Sequence, residues 1–294
     1  GATKIIQSNT STAEQTFATG LTSFDSDGFT AGNSDDINGN YNYASWNWKA
    51  GTGQGSSNTD GSTNTTYTSV NTTAGFSIST YAGSGSLATV GHGLGAAPEV
   101  VLIKSTSHAE NWVMYHKSIG AGKYLYLNNS DAAGPNSGTN TSIFNNTAPT
   151  NSVFTVNTDG TSNGSGKNYV AYCFAEKKGY SKFGSYTGNG NADGTFVYTG
   201  FKPAWVLTKE TPNTSSWDMH DNKRDPHNVC NKYLLAEDGG AEGTTDILDF
   251  CSNGFKFRTT NGDRNQSGVT YIFMAFAEEP LVANVGQSIP ATAR

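Results

Sequence analysis

The chain has 294 residues and a formal net charge of −6, with charged side chains at 14% and glycine at 35 positions. An acidic balance excludes a nucleic-acid partner, whose phosphates require a Lys/Arg face, and no apolar stretch approaches the length of a membrane span. Aromatics at 12% argue against charge-driven disorder; with the β-branched residues they can build cores for short strands joined by tight turns.

In chain order, residues 1–50 read as an N-terminal partial β module. Phe24-Asp-Ser-Asp-Gly-Phe29 and Tyr41-Asn-Tyr-Ala-Ser-Trp-Asn-Trp48 resemble the back half of the later copies, with the front half absent. The expectation is a degenerate cap or a piece of a longer array, with strand edges at Phe24–Thr30 and Tyr41–Trp48 lacking partners. Residues 51–75 carry few large apolar groups and read as a Gly/Ser/Thr/Asn-rich connection. Residues 76–180 and 181–282 read as two full modules, and 283–294 as a polar C-terminal tail.

The two full modules are copies. Tyr81-Ala-Gly-Ser-Gly85 returns as Tyr186-Thr-Gly-Asn-Gly190, Pro98-Glu-Val-Val-Leu-Ile-Lys104 as Pro203-Ala-Trp-Val-Leu-Thr-Lys209, and Trp112-Val-Met114 as Trp217-Asp-Met219, all at an offset of 105 residues. Tyr169-Val-Ala-Tyr-Cys-Phe-Ala-Glu176 returns as Tyr271-Ile-Phe-Met-Ala-Phe-Ala-Glu278. A period this long marks repeated domains rather than solenoid blades. The apolar pattern has period two almost throughout. Val100–Ile103, Trp205–Leu207, Tyr169–Ala175 and Tyr271–Ala277 carry apolar residues on both faces and predict central strands. Asp159-Gly160, Asn163-Gly164 and Asn261-Gly262 supply hairpin turn chemistry. The fold predicted is all-β, with tandem antiparallel β-sandwich (jelly-roll-like) modules of roughly 100 residues each.

Asn58-Thr-Asp-Gly-Ser62, Asn71–Ile78, Val90-Gly-His-Gly-Leu-Gly95 with Ala97-Pro98-Glu99, Tyr169–Glu176, Gly184–Gly190, Gly254–Arg258 and Pro290-Ala-Thr-Ala-Arg294 follow one another in order. In these motifs the chain resembles repeat-containing virion proteins of marine tailed bacteriophages, cyanophage- and pelagiphage-like, over roughly residues 20–294. The resemblance implies a tail-fibre or structural component and brings no set of catalytic residues.

Candidate sites are few. Trp46 and Trp48 could stack on sugar rings, and His116 and the His220-Asp221 pair lie just after the recurring tryptophans. These five residues, Trp46, Trp48, His116, His220 and Asp221, are the candidate carbohydrate contacts. Trp112 and Trp217 recur at one repeat position and read as core. His92, in a glycine-flanked loop, reads as a turn histidine bonded to backbone. The His220–His227 stretch, Asp25–Gly28 and Asn189–Gly194 offer oxygen or imidazole ligands, but solvated loops and Asx-turns account for them better than a metal does. Cys173, Cys230 and Cys251 have no zinc-ligand spacing and read as free thiols, with a Cys230–Cys251 bridge as the alternative. No catalytic constellation is present and no cofactor is expected; Glu278-Glu279 ends a strand before Pro280 rather than lining a cleft.

The function expected is a non-enzymatic virion component, a tail fibre or receptor-binding appendage at the particle surface. Its partners would be other virion proteins and host cell-surface polysaccharide. A capsid decoration or fibre protein, or a glycan-degrading tailspike enzyme, is the alternative. A homo-oligomer is expected, a trimer first, with Trp46 and Trp48 buried at the contact between chains.

Overall fold

The computed structural model describes residues 1–135 and 137–278. The protein is all-β, with 37% of residues in strands against 4% in helix. The N-terminal copy contributes β1 (Lys4–Ile5), β2 (Gln15–Thr16), β3 (Leu21–Phe24), β4 (Phe29–Ala31) and one helical turn, α1, at Asp35–Asn38. The first full copy holds β5 (Tyr67–Asn71), β6 (Phe76–Ala82), β7 (Ala88–Gly91), β8 (Val100–Ser105), β9 (Val113–His116), β10 (Leu125–Tyr126), β11 (Val153–Val156) and β12 (Asn168–Phe174). The second holds β13 (Ser181–Thr187), β14 (Phe196–Tyr198), β15 (Pro203–Glu210), β16 (Trp217–Asp221), β17 (Cys230–Leu235), β18 (Gly243–Cys251), β19 (Gly254–Phe257), the turn α2 (Gly262–Asn265) and β20 (Thr270–Ala277).

The sequence repeat is also a repeat of strand pairing. β12 lies between β6 and β8, as β20 lies between β13 and β15, all antiparallel. β7 pairs β11 as β14 pairs β19. The first full copy has a six-stranded sheet, β10-β9-β8-β12-β6-β5, faced by the β7–β11 ribbon. In the second, β17 carries one sheet round from the first layer to the other, in the order β13-β20-β15-β16-β17-β18-β19-β14. A register break between Cys230 and Lys232 supplies the bend.

Alternation along the central strands feeds two cores at once. Val101, Ile103, Val113 and Tyr169 fill the inner core of the first full copy, and Val206, Leu248, Phe255 and Phe273 that of the second. Their neighbours on the opposite face (Val100, Trp112 and Phe174, with Trp205, Leu207 and Phe276) meet in a third core that both copies share. Full burial of one such side chain stabilises by about 1.5–3 kcal/mol. The apolar runs are continuous in sequence because both faces are covered.

The Tyr-x-Gly-x-Gly repeat has a definite job. Tyr81 stacks on Tyr169 (5.2 Å between ring centroids) and Tyr186 on Tyr271 (4.9 Å). The Tyr169 hydroxyl donates to the Gly160 carbonyl at 2.6 Å and accepts from the Gly164 amide at 2.8 Å; Tyr271 does the same with Gly262 and Gln266. A fully buried asparagine then ties each loop across. The Asn163 carboxamide accepts from Ser84 N, and that of Asn265 from Asn189 N. A Cβ on Gly83 or Gly188 would sit 2.3 Å from a carbonyl of the facing loop, and Gly85 and Gly190 are left-handed (φ +69° and +68°). Only glycine fits at these positions.

Three expectations need correction. Residues 67–71 belong to the sheet as β5 rather than to a connection. Their buried face is hydroxylic, with Thr68 Oγ1 3.1 Å from Ser79 Oγ, so no apolar alternation marked the strand. Asp159-Gly160, Asn163-Gly164 and Asn261-Gly262 close no hairpin, since β11 and β12 pair with other strands, as do β19 and β20. Finally, Phe24–Thr30 folds on itself as β3–β4, while the counterpart of Tyr169 and Tyr271 is Tyr43 rather than Tyr41. The Tyr43 hydroxyl bonds Asp35 O and Gly39 N in the same pattern. Trp46 and Trp48 thus occupy the places of Tyr172 and Phe174. The proposed C-terminal tail, 283–294, and Glu279-Pro280 lie outside the described residues.

The asparagine tie gives a first prediction. Asn265 also donates to Asn189 Oδ1, Asn191 O and Thr259 O at 2.8–3.0 Å. Asn265→Ala leaves several buried groups unpaired and is expected to destabilise by about 2–3 kcal/mol in urea unfolding; an unchanged midpoint would refute the role.

Candidate functional site

The seams between copies carry a recurring set of polar contacts. The Trp112 indole Nε1 donates to Gln7 O of the N-terminal copy at 2.9 Å, and the Trp217 Nε1 donates to Tyr126 O of the first full copy, also at 2.9 Å. The Lys104 ammonium donates to Ser11 O at 3.1 Å and Ser105 O at 2.8 Å; the Lys209 ammonium donates to Ser130 O at 3.4 Å and Glu210 O at 2.8 Å. Glu14 N bonds Thr106 O as Ala133 N bonds Thr211 O. Each full copy therefore clasps the one before it through the same three groups. Both lysines are fully buried, and burial pulls each ammonium down to about 8, opposed by Glu110 at Lys104 and chiefly by Glu210 at Lys209.

The five candidate residues do not converge on one site. Trp48 packs edge-on against Trp205 (5.2 Å) and Phe276 (5.4 Å), and Trp46 lies 6.3 Å from Trp205 with the Arg224 guanidinium 5.6 Å over its ring. Both rings are half-buried, packed against the second full copy of the same chain. Asp221 is 3% exposed and held by Arg224, Nε to Oδ2 at 2.6 Å, while its Oδ1 caps the amides of Lys223 and Arg224.

The two histidines require a correction, because neither meets solvent. His116 lies at the seam, its Nε2 3.3 Å from Phe273 O and its Nδ1 accepting from Ser118 N. Two backbone partners of opposite kind fix a neutral tautomer, and burial holds the ring down to about 4. His220 is buried inside the second full copy, 6.3 Å from Tyr233, with neither ring nitrogen partnered. Burial, then Arg264 and Arg224, pushes it down to about 3. These inward positions on β9 and β16 rule out contact between either imidazole and a surface saccharide.

The remaining sequence candidates are structural. His92 is buried, its Nε2 3.1 Å from Thr150 O and its Nδ1 accepting from Leu94 N. Asn189 forms an Asx-turn onto Asn191 N, and Asp25 accepts from Ser23 and Thr30 hydroxyls. The three cysteines are free thiols; Cys173 and Cys230 are buried. Among the described residues no group of three or more His, Cys, Asp or Glu gathers as metal ligands. A buried pair that the sequence did not signal, Asp218 with Arg264 Nη2 at 2.5 Å, lies beside His220; burial raises the Asp218 carboxyl to about 7 against the pull of Arg264.

Among the described residues, clefts open on the surface, two of which bear on the site. One, of about 360 Å³, lies at the seam between the full copies and is lined by Tyr124, Tyr126, Asp131 and Thr214, the two phenol rings 5.0 Å apart. The other, of about 410 Å³, is formed by the N-terminal copy alone.

A model for a domain family of unknown function, DUF7483, matches residues 1–280, and the chain belongs to that family. No curated protein and no solved structure matches it.

The buried imidazole of His220 has a pH consequence. Its folded-state pKa lies below that of the unfolded chain, so the unfolded state takes up a proton below about pH 6.5 that the folded state refuses until about 3. Stability from this residue is full above pH 6.5 and is lost as pH falls. His220→Phe should lose about 2–3 kcal/mol less stability than wild type between pH 7.5 and 4.5. Urea midpoints at the two pH values measure this, and parallel pH profiles would contradict it.

Proposed function

We propose that this chain is a non-enzymatic structural or adhesive component of a phage particle, a tail fibre or receptor-binding appendage. The observation that carries the reading is the recurring seam, which joins successive copies into one body through fully buried donors and a shared core. Such joints suit a part that must transmit load and resist proteolysis, and they leave loops free to vary. His116, His220 and Asp218, whose titration burial displaces strongly, stand in the protein interior, where they serve packing rather than a substrate. Together with the motif resemblance, this favours structural or binding duty over the tailspike-enzyme alternative.

Contact with host polysaccharide is assigned in this reading to the Tyr124–Tyr126 cleft. It pairs two phenol faces with a carboxylate, Asp131, and is open to solvent, as a pyranose ring requires. Immunogold imaging of purified particles with an antibody to this chain should label tails; label confined to the capsid favours the decoration-protein alternative. Binding of host polysaccharide should weaken about tenfold in Tyr124→Ala, the loss of a stacking contact worth roughly 1.4 kcal/mol. Shortened polysaccharide chains in mass spectra after incubation would overturn the non-enzymatic assignment.

A further inference from the structure

At four matched positions the inner cores of the two full copies bury opposite chemistry. Ile103 faces Val113 across its ladder as Thr208 faces Asp218, and Val101 faces Tyr115 as Val206 faces His220. The Tyr81 hydroxyl donates to Ser162 O as the Tyr186 hydroxyl donates to Arg264 O, which makes Ser162 the counterpart of Arg264. The first copy fills these four places with two aliphatic side chains, a phenol ring and one small hydroxyl. The second fills them with a hydroxyl, a carboxyl, an imidazole and a guanidinium, none more than 3% exposed.

This cluster is costly. Arg264 bonds Asp218 and lies 4.7 Å over the Tyr233 ring, yet Asp218 Oδ2, Arg264 Nε and both ring nitrogens of His220 are buried without a partner. A well-packed apolar set, as in the first full copy, avoids that desolvation. Neither surface cleft is lined by any of these residues, so ligand contact does not account for them. Their placement in the fold does. Asp218 stands on β16, in the front half of the second copy, and Arg264 in α2, next to β20 in its back half. The pair therefore joins one half to the other.

Each half has a choice of partner. Phe174 of β12 faces Phe76 and Val100, and Phe276 of β20 faces Ser181 and Trp205 at the same places. The two back strands accept front strands in one register, and the wrong pairing is the nearer one. Only residues 175–180 separate β12 from β13, so pairing Phe174 with Ser181 would close a short hairpin, whereas β13 meets β20 across the length of the second copy. Short loops close at less entropic cost, and misassembly between equivalent parts is a characteristic fault of repeat proteins. We propose that the Asp218–Arg264 pair selects the correct partner, keeping the two full copies from exchanging halves within one chain or between chains. With the second front on the first back, Asp218 would meet Ser162. With the first front on the second back, Arg264 would meet Val113 and, unable to shed its proton, would be a bare charge in a core.

A thiol reporter tests this in the full chain. Lys182 lies opposite Ala275 as Ser77 lies opposite Cys173, so a Lys182→Cys thiol meets Cys173 only when β13 has paired with β12. The Lys182→Cys chain is refolded from urea in a glutathione redox buffer at about pH 8, where thiolate exchange runs. Peptide mapping by mass spectrometry counts the 173–182 disulfide, and size exclusion separates monomers from chains that have exchanged halves. Adding Asp218→Val with Arg264→Met should leave the chain folded and raise that disulfide at least about tenfold. Phe255→Leu, an uncharged truncation in the same core, controls for lost stability and should leave the disulfide at the level of the parent. The proposal is overturned if the double variant forms no more of the disulfide than the parent, or if Phe255→Leu raises it equally. It is also overturned if the double variant fails to fold without forming the disulfide, since the pair would then hold the core together rather than choose its partner.

Discussion

The structure depends on a buried donor reaching backward. A β-sheet whose central strands are apolar on both faces must be covered twice, once within its copy and once from outside it. Here the outside cover is the neighbouring copy, and where the two backbones approach, carbonyls of the preceding copy lie half-buried at the contact. The indole of Trp112 or Trp217 and the ammonium of Lys104 or Lys209 supply those carbonyls with hydrogens. An unpaired carbonyl in such a seam would cost about 1–3 kcal/mol, so the clasp and the shared core stand or fall together.

A buried lysine is an expensive donor, and its use twice at one repeat position calls for a reason. An ammonium carries three donors on a flexible stem, so a single group can bond its own strand's following carbonyl and a carbonyl of the preceding copy together. A neutral side chain of similar reach, such as methionine, would fill the volume and bond neither. The lowered pKa is the sign of that desolvation, offset in part by Glu110 at Lys104 and by Glu210 at Lys209. The same logic explains why His116 is kept neutral. A ring that must accept from Ser118 N and donate to Phe273 O across the seam can do both only without a second proton.

Much of this was legible in the sequence, and the parts that were not share a physical cause. The fold class, the repeat and the doubly covered central strands followed from residue spacing, because apolar periodicity reports directly on burial. The recurrence of Lys104 and Lys209 was visible too, but a lysine at a strand end reads as a solvated charge until the backbone it meets is known. β5 was missed because Thr68 and Ser69 bury hydroxyls instead of hydrocarbon. His116 and His220 were placed at the surface because a histidine beside a charged residue, Lys117 or Asp221, has no period-two signature of its own. The alignment of Tyr41 with Tyr169 failed by two residues because Tyr41 and Tyr43 stand in the same period-two register, so aromatic spacing alone does not choose between them. Only the hydroxyl's partners identify the true counterpart.

The central claim is that the two full copies and the segment holding Trp46 and Trp48 form one cooperative body, joined by the clasps and the shared core. Scanning calorimetry of the full chain measures this most directly. The account predicts a single transition whose calorimetric enthalpy equals its van't Hoff enthalpy, because melting either full copy strips one face from the other. Two transitions well separated in temperature, each with the enthalpy of about a hundred-residue domain, would contradict it and reduce the seam to contact between independent modules.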